Sequence, residues 1–313
     1  MPQPPWSRRT GLALGATLAG ALLGAHAFPT SAAQLTDSQV VAGNVVQTKT
    51  ACAGGASYPA VTLSKNPSFY WRISEATPPA VTTVNDSSSN NADGTSTGTG
   101  RTFGPTNAGL IQCDTTYSVR FRGQAADNGF LVQPTAVPNP DTFTISAWVR
   151  SNSNRGGWIL GMGSARWGTS VNRDRVLYLQ RNGRPAFAVG IGPRTILQGT
   201  TPINDNAPHM LVGTVGPGGA ALYVDGARVD FDPTVTSGAT YTGNEAADPS
   251  PPGVPPTPNG FGYWRVGYDS TAGLGPSVPT RNQIAARVDE IAVWQNDALT
   301  ASEVADLFSR DHW

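Results

Sequence analysis

Apolar and polar positions alternate most clearly in TFTISAWVR (142–150). Phe143, Ile145, Ala147 and Val149 share one face there, and Thr144, Ser146, Trp148 and Arg150 the other, which is the period of a half-buried strand. The same signal predicts strands in SFYWRIS (68–74), YSVRF (117–121), GFLVQ (129–133) and GGWILGMG (156–163). RVLYLQRNGRPAFAVGI (175–191) reads as a hairpin turning at Asn182-Gly183. In HMLVGTVGPGGAALYVDGARVDFD (209–232), Asp225-Gly226 marks a second turn that needs positive φ. FGYWRVGY and AARVDEIAVW supply further strands, and Thr300 with Glu303 forms a capping box for a short terminal helix whose Val304, Leu307 and Phe308 face the core.

Between these elements lie turn-rich stretches. NDSSSNNADGTSTGTG (85–100) is a polar loop, and six prolines fall within residues 249–258. Proline cannot serve a central strand, so 244–260 is read as a proline-rich surface loop inserted in one domain. No repeat with a solenoid or propeller period is visible. Roughly a dozen strands with a single terminal helix predict an all-β fold, a two-sheet antiparallel sandwich.

Composition agrees. Gly (36) and Pro (26) are abundant and only 13% of residues are charged, which suits short strands and turns rather than long amphipathic helices. The formal net charge is zero, so no global field favours nucleic acid or an anionic membrane. The lysines and arginines are almost all arginine, which is read as a base-composition bias without functional weight.

The N-terminus changes the picture of location. Ser7-Arg8-Arg9 precedes the apolar run GLALGATLAGALLGAHA, which ends in Ala25-His26-Ala27. A basic start, a short apolar core and an A-x-A site predict an export signal over 1–27, with an uncleaved membrane anchor as the alternative. Residues 28–57 then form an extended lead or a first strand, and the domain proper runs from 58 to 313. Both cysteines, Cys52 and Cys113, fall in the exported part. A disulfide between them would add roughly 4 kcal/mol in the chain-entropy model, and two unpaired thiols are the alternative.

Six segments in order carry a family resemblance: PSFYWRISEA, NDSSSNNADGT, FTISAWVRS, HMLVGTV with AALYVDGARV, RVGYD, and ARVDEIAVWQNDALTASEVADLF. Over residues 58–313 the chain resembles the laminin-G-like branch of the concanavalin A-like lectin/glucanase superfamily. The resemblance implies a jelly-roll sandwich with a curved concave face. It departs at Ala207-Pro208-His209-Met210, where the family carries an aromatic residue and paired histidines, and in the proline-rich insert.

The superfamily contains enzymes, lectins and spacers, so the site has to decide. Its glucanases carry a Glu-rich E-x-D-x-x-E strand, and none of Glu75, Glu245, Glu290 and Glu303 lies in such a pattern. Asp289 and Glu290 are adjacent on a strand, which predicts opposite faces. Asp230 and Asp232 share a face but follow a tight turn at a strand end, where solvation explains them.

Sugar binding needs aromatic faces with polar groups around them. The candidates are Trp158, Trp167, Trp264 and Tyr268, with Trp167 preferred because Arg166, Arg173 and Arg175 lie near it in SARWGTSVNRDR. Trp71, Trp148 and Trp294 fall in framework segments and are expected in the core. Similar domains place a structural calcium ion at positions matching Glu75 and Asp289, and Asp86, Asn91 and Asp93 offer a second set of oxygens. The expectation is a secreted, non-catalytic lectin-like domain whose partner is a polysaccharide or glycoconjugate, with no nucleic acid and no membrane contact beyond an uncleaved N-terminus. A spacer without sugar specificity is the first alternative and a divergent glycoside hydrolase the second.

Overall fold

The computed structural model describes residues 57–75, 83–112, 115–241 and 258–310, and the backbone of two short strands at 40–41 and 44–45. The export signal, Cys52, Cys113, Glu245 and most of the proline-rich insert lie outside the described residues. The chain divides into two compact units, Met1–Lys49 and Thr50–Trp313. In the first, β1 (Val40–Val41) pairs antiparallel with β2 (Asn44–Val45).

The second unit is a sandwich of two antiparallel sheets. With strands numbered along the chain, the eight-stranded sheet holds β3 (Phe69–Trp71), β6 (Arg101–Thr102), β7 (Val119–Arg122), β10 (Phe143–Arg150), β15 (Pro208–Gly216), β16 (Gly219–Val224), β17 (Ala227–Asp232) and β19 (Ala285–Gln295). Its order is β17-β16-β15-β10-β19-β7-β6, with β3 also on β19. The nine-stranded sheet holds β4 (Thr83–Val84), β5 (Gly94–Thr97), β8 (Phe130–Val132), β9 (Val137–Pro138), β11 (Gly157–Gly163), β12 (Arg173–Leu179), β13 (Pro185–Val189), β14 (Thr195–Gln198) and β18 (Phe261–Val266). Its order is β14-β13-β12-β11-β18-β8-β5-β4, with β9 on β18. Every pairing is antiparallel, as the jelly-roll expectation requires.

The alternation of β10 survives intact. Phe143, Ile145, Ala147 and Val149 enter the core between the sheets with Trp71, Leu160, Trp264 and Val288. The opposite face of β10 is buried as well, because two helices cover it. Helix α1 (Tyr58–Ser64) and helix α2 (Ala301–Ser309) lay Tyr58, Val304 and Leu307 over Trp148, Trp294 and Met210 in a second apolar layer. Trp148 stacks on Phe308 at 5.9 Å and meets the edge of Tyr58 at 5.8 Å. A fully buried large apolar side chain contributes about 1.5–3 kcal/mol, so this outer layer is a second core.

Helix α1 was not expected. Its start is nevertheless written locally, since Ser57 accepts from the Ala60 amide and a proline stands in the first turn. The terminal helix matches its pattern: Thr300 Oγ1 and the Glu303 carboxylate cap each other's amides. Lys65 then reaches Glu303 Oε1 at 3.3 Å and ties the two helices together. Thr300→Ala should therefore cost about 1 kcal/mol and lower the melting temperature by a few degrees. A thermal melt of the variant unchanged from wild type would show that α2 is held by packing alone.

Candidate functional site

The strand periods decide which aromatic rings can meet a ligand. On β18, Tyr263 and Arg265 point outward while Trp264 and Val266 point into the core. Trp264 is fully buried and tilts against Phe143 at 6.3 Å, which removes it as a stacking platform. Trp158 does lie on the outer face of the nine-stranded sheet, but Leu274 roofs it together with Tyr178 and Val176. Its ring is also fully buried, and its Nε1 donates to the Arg265 carbonyl at 3.1 Å. Both expectations of sugar contact are corrected on this ground: outward direction alone does not expose a ring when a loop lies over the sheet.

The roof is fastened by one buried cation. Arg265 lies over the Phe130 ring at 4.2 Å and has no exposed surface. Its guanidinium reaches Asp269 Oδ2 at 3.2 Å, the Ala165 carbonyl at 2.5 Å and the Gly168 carbonyl. Asp269 also accepts from the Ser170 amide and hydroxyl, each at 2.7 Å. The segments around residues 164–172 and 267–283 are thus drawn together over β18. Arg173 adds bonds to the carbonyls of Val171 and Ala272 at 3.0 and 3.1 Å. Arg175, expected near Trp167, instead turns inward at a bulge with φ +56° and pairs with Asp174 at 2.5 Å.

Trp167 and Tyr268 remain, both half-buried against one outer cluster of Phe130, Val132 and Tyr263. Arg166 covers the Trp167 ring at 4.9 Å, so the two expected neighbours do meet. Tyr268 stacks one face on Phe130 at 5.9 Å and 20°. It also lines a groove of about 420 Å³ with Gln124, Asp127, Asn128, Arg281 and Asn282. The carboxamide oxygens of Asn128 and Asn282 are occupied by Thr99 and Thr271, which leaves each NH2 as a donor. Asp127 is ion-paired with Arg122 at 2.8 Å.

The acids arrange differently from expectation in one place. Val288 and Ile291 both face the inner core, and the β10–β19 register slips between Ser146 and Trp148. A bulge at Glu290, with φ +49°, therefore puts Asp289 and Glu290 on the same side of the sheet. That side is sealed. Asp289 accepts from the amides of Leu110 and Glu290 at 2.8 and 3.0 Å, Glu290 lies 3.6 Å from Arg72, and both carboxylates are fully buried. Burial, reinforced by the Glu290 charge, pushes the Tyr58 phenol well above its usual value.

Asp230 and Asp232 lie on edge strand β17. Asp230 accepts from the Gln198 amide at 2.8 Å and so links the edges of the two sheets, while Asp232 is tied to Thr234. Glu75 accepts from Asn85, and its carboxyl is raised chiefly by burial. Asp86 and Asp93 organise the polar loop through backbone amides. Glu75 and Asp289 thus serve different segments. Among the described residues no three His, Cys, Asp or Glu side chains are grouped to hold a metal ion.

Where the resemblance departs from its family, His209 sits between two acids. Nδ1 is 2.7 Å from Asp225, in the β16–β17 turn, and Nε2 is 3.1 Å from Asp205. Burial alone would lower the imidazole, but the bonds to Asp225 and Asp205 outweigh it and hold it above its ordinary value.

Residues 122–252 match the laminin-G-type family model of the concanavalin A-like lectin/glucanases superfamily. The match takes in under half of the chain. No curated protein matches. Among solved structures, the chain is similar to Trypanosoma rangeli sialidase, with 15% identity and a TM-score of 0.47 over 78% of this chain and 33% of that one. It spans about a third of that sialidase's length. Domain 4 of the arabinanase AbnA from Geobacillus stearothermophilus is similar at 16% identity and a TM-score of 0.46, covering 77% of this chain and 98% of that domain. A pentraxin of Limulus polyphemus is similar at 14% identity and a TM-score of 0.43, over 60% and 79%.

Two expected outcomes follow from these contacts. Arg265→Met strands the Asp269 carboxylate under the roof and should cost about 3–5 kcal/mol in urea denaturation, the scale for breaking a buried pair. A loss below about 1 kcal/mol, the scale of a surface ion pair, would show that the roof is not fastened there. For His209 the folded pKa is raised, so its stabilisation is complete below the unfolded value and vanishes as pH rises through the folded one. The melting gap between wild type and His209→Gln should be wider at about pH 5.5 than at about pH 8.5, either side of the ordinary value near 6.5. Equal gaps at both would dissociate the histidine from its acids.

Proposed function

We propose that this chain is an exported, non-catalytic carbohydrate-binding domain that contacts a polysaccharide or glycoconjugate through the groove at Tyr268. The groove itself carries the reading. One face of the Tyr268 ring rests on Phe130 and the ring lines a concave surface with amide donors and Arg281 around it. A pyranose ring needs that combination of an apolar platform and flanking donors. The family match over 122–252 supports the same class.

Absence of cleavage rests on the carboxylates. Glycoside hydrolysis takes two carboxyl groups flanking the bond, about 5 Å apart for retention or about 6.5–9.5 Å for inversion. Among the described residues the Tyr268 groove is lined by one acid, Asp127, already neutralised by Arg122. The wider groove beside it is lined by none of the described acids. The pair that the fold does bring together, Asp289 and Glu290, has no open surface. One observation favours a spacer instead: both outer sheet faces are largely roofed, which hides Trp148, Trp158 and most outward rings.

A glycan array with and without EDTA, run beside a hydrolysis screen, separates the readings. Tyr268→Ala should weaken binding about 5- to 10-fold, in line with the loss of one stacking contact, and Tyr268→Phe should retain it. Asp230→Asn with Asp232→Asn should bind as wild type. Loss on chelation would support the expected calcium brace. Silence on the array would leave the spacer, and released sugars would refute the non-catalytic assignment.

A further inference from the structure

A second concavity opens on the outer face of the eight-stranded sheet, where the helix layer ends. The outward rung of β10 after Trp148 is Arg150. Across the register Arg150 stands opposite Arg287 on β19, and Arg287 stands opposite Arg120 on β7. Val149, Val288 and Val119, beside them in sequence, all point into the core, so the three arginines share the outer face. Adjacent strands lie about 4.8 Å apart, so this is a row of three cations on neighbouring strands. Arg122, two residues on from Arg120, and Arg155 extend it into a groove of about 610 Å³.

Like charges directly opposite one another destabilise a sheet. Burial, with the charges of Arg150 and Arg120 added, lowers the Arg287 guanidinium from its ordinary value. The surroundings hold the forks in place without cancelling them: Arg150 donates to the Asn206 carbonyl at 2.7 Å and Arg287 to the Thr106 carbonyl at 3.1 Å. Among the described residues no acidic side chain lines the groove. Asp127 pairs with Arg122 at the groove's end and offsets that one charge, while Asp205 is engaged by His209 and Asp289 by backbone amides, away from Arg120, Arg150 and Arg287. In a chain of zero net charge this is a local concentration of fixed cations.

We infer that this arginine-row groove binds the anionic groups of an acidic polysaccharide, either uronate carboxylates or sulfate esters. Planar guanidinium forks take both groups bidentately. The remaining polar lining, Ser151, Asn152, Ser153, Asn154 and Asn206, offers amides and hydroxyls suited to sugar hydroxyls. A single nucleic-acid strand would call for aromatic platforms, and among the described lining residues the one aromatic, Phe121, is buried in the inner core. The inference takes the polysaccharide class from the Tyr268 reading. It names a separate site, joined to that groove through the Arg122–Asp127 pair.

The test compares wild type, Arg120→Gln, Arg287→Gln, the double variant and Tyr268→Ala on polygalacturonate, dextran sulfate, neutral dextran and duplex DNA. Wild type should bind one or both acidic polymers, more weakly as salt rises, with the double variant losing about tenfold or more. Binding to only one acidic polymer assigns carboxylate or sulfate as the natural anion. Arg120 is exposed, so its variant keeps the test alive if Arg287→Gln does not fold. Removing the central charge should leave the melting temperature unchanged or raised. Arginine-dependent binding of acidic polymers with Tyr268→Ala silent would stand even if the Tyr268 groove binds nothing. No acidic binding, binding unaffected by the double variant, or equal binding of duplex DNA would each overturn the inference.

Discussion

The outer face of the nine-stranded sheet owes its shape to Arg265 and Asp269. Placing a guanidinium under a loop costs several kcal/mol of lost hydration, and the structure offsets that cost with a carboxylate, two carbonyls and an aromatic face. A buried pair of this kind is a weak source of net stability. What it supplies is geometry, because both loops are tied to the same two charges. Ser170 bonded to both oxygens of Asp269 fixes one loop, and the short run from Arg265 to Asp269 fixes the other. Tyr268 is adjacent to Asp269 in the chain, so the ring that lines the groove inherits its position from this pair. Asp174 and Arg175 repeat the device on the same sheet: Arg175 holds the Pro140 and Ala239 carbonyls and Asp174 the Ala239 amide, fixing the chain that leads toward the insert.

Roofing both outer faces limits where a partner can act. A bare sandwich would present two broad sheets, with outward aromatic rings on each. Here the helices take Trp148 and Trp294 into a second core, and the loops take Trp158 into a third. Two concavities lie where the roofs stop. The Tyr268 groove and the arginine row meet at that place, since Arg122 lines one, Asp127 lines the other, and the two are paired. One groove then offers an apolar platform with amides, and its neighbour offers charge. A single extended polymer carrying both sugar rings and anions would find its two requirements side by side.

Much of this was legible in the chain and some was not, for physical reasons. The β10 alternation, the Thr300–Glu303 box and the Asp225-Gly226 turn, with φ of +51° and +78°, depend on neighbours within a few residues, and they came out as read. At Asn182-Gly183 only the glycine has positive φ, because the turn spans more residues than two. The reading of Asp289 and Glu290 failed because a strand's period of two assumes no bulge, and Glu290 in a left-handed conformation has no local sequence mark. Trp158 was misplaced because exposure depends on what long-range loops cover, and Trp264 because the sheet that packs opposite decides which face of β18 is the inner one. The arginine row was invisible for the same reason: Arg120, Arg150 and Arg287 are far apart in sequence, and only the register of three strands sets them in line. Their number looked like composition.

The sealed acid pair bears on how such a sandwich separates holding from cutting. The bulge in β19 brings two carboxylates to one side of a central strand, the raw material of a hydrolytic couple. Tyr58 of α1, the Leu110 loop and Arg72 then close over them. Under that cover their charges are used to order the chain: Asp289 accepts from the Leu110 amide and anchors that loop, and Glu290 faces the Arg72 guanidinium. A glycosidic bond has no route to either group unless α1 leaves the sheet, and α1 is tied to α2 through Lys65 and Glu303 and packed on Trp148 through Tyr58. The two carboxylates that the bulge brings together are thus spent inside the scaffold, whereas the groove beside Arg287 is lined by arginines.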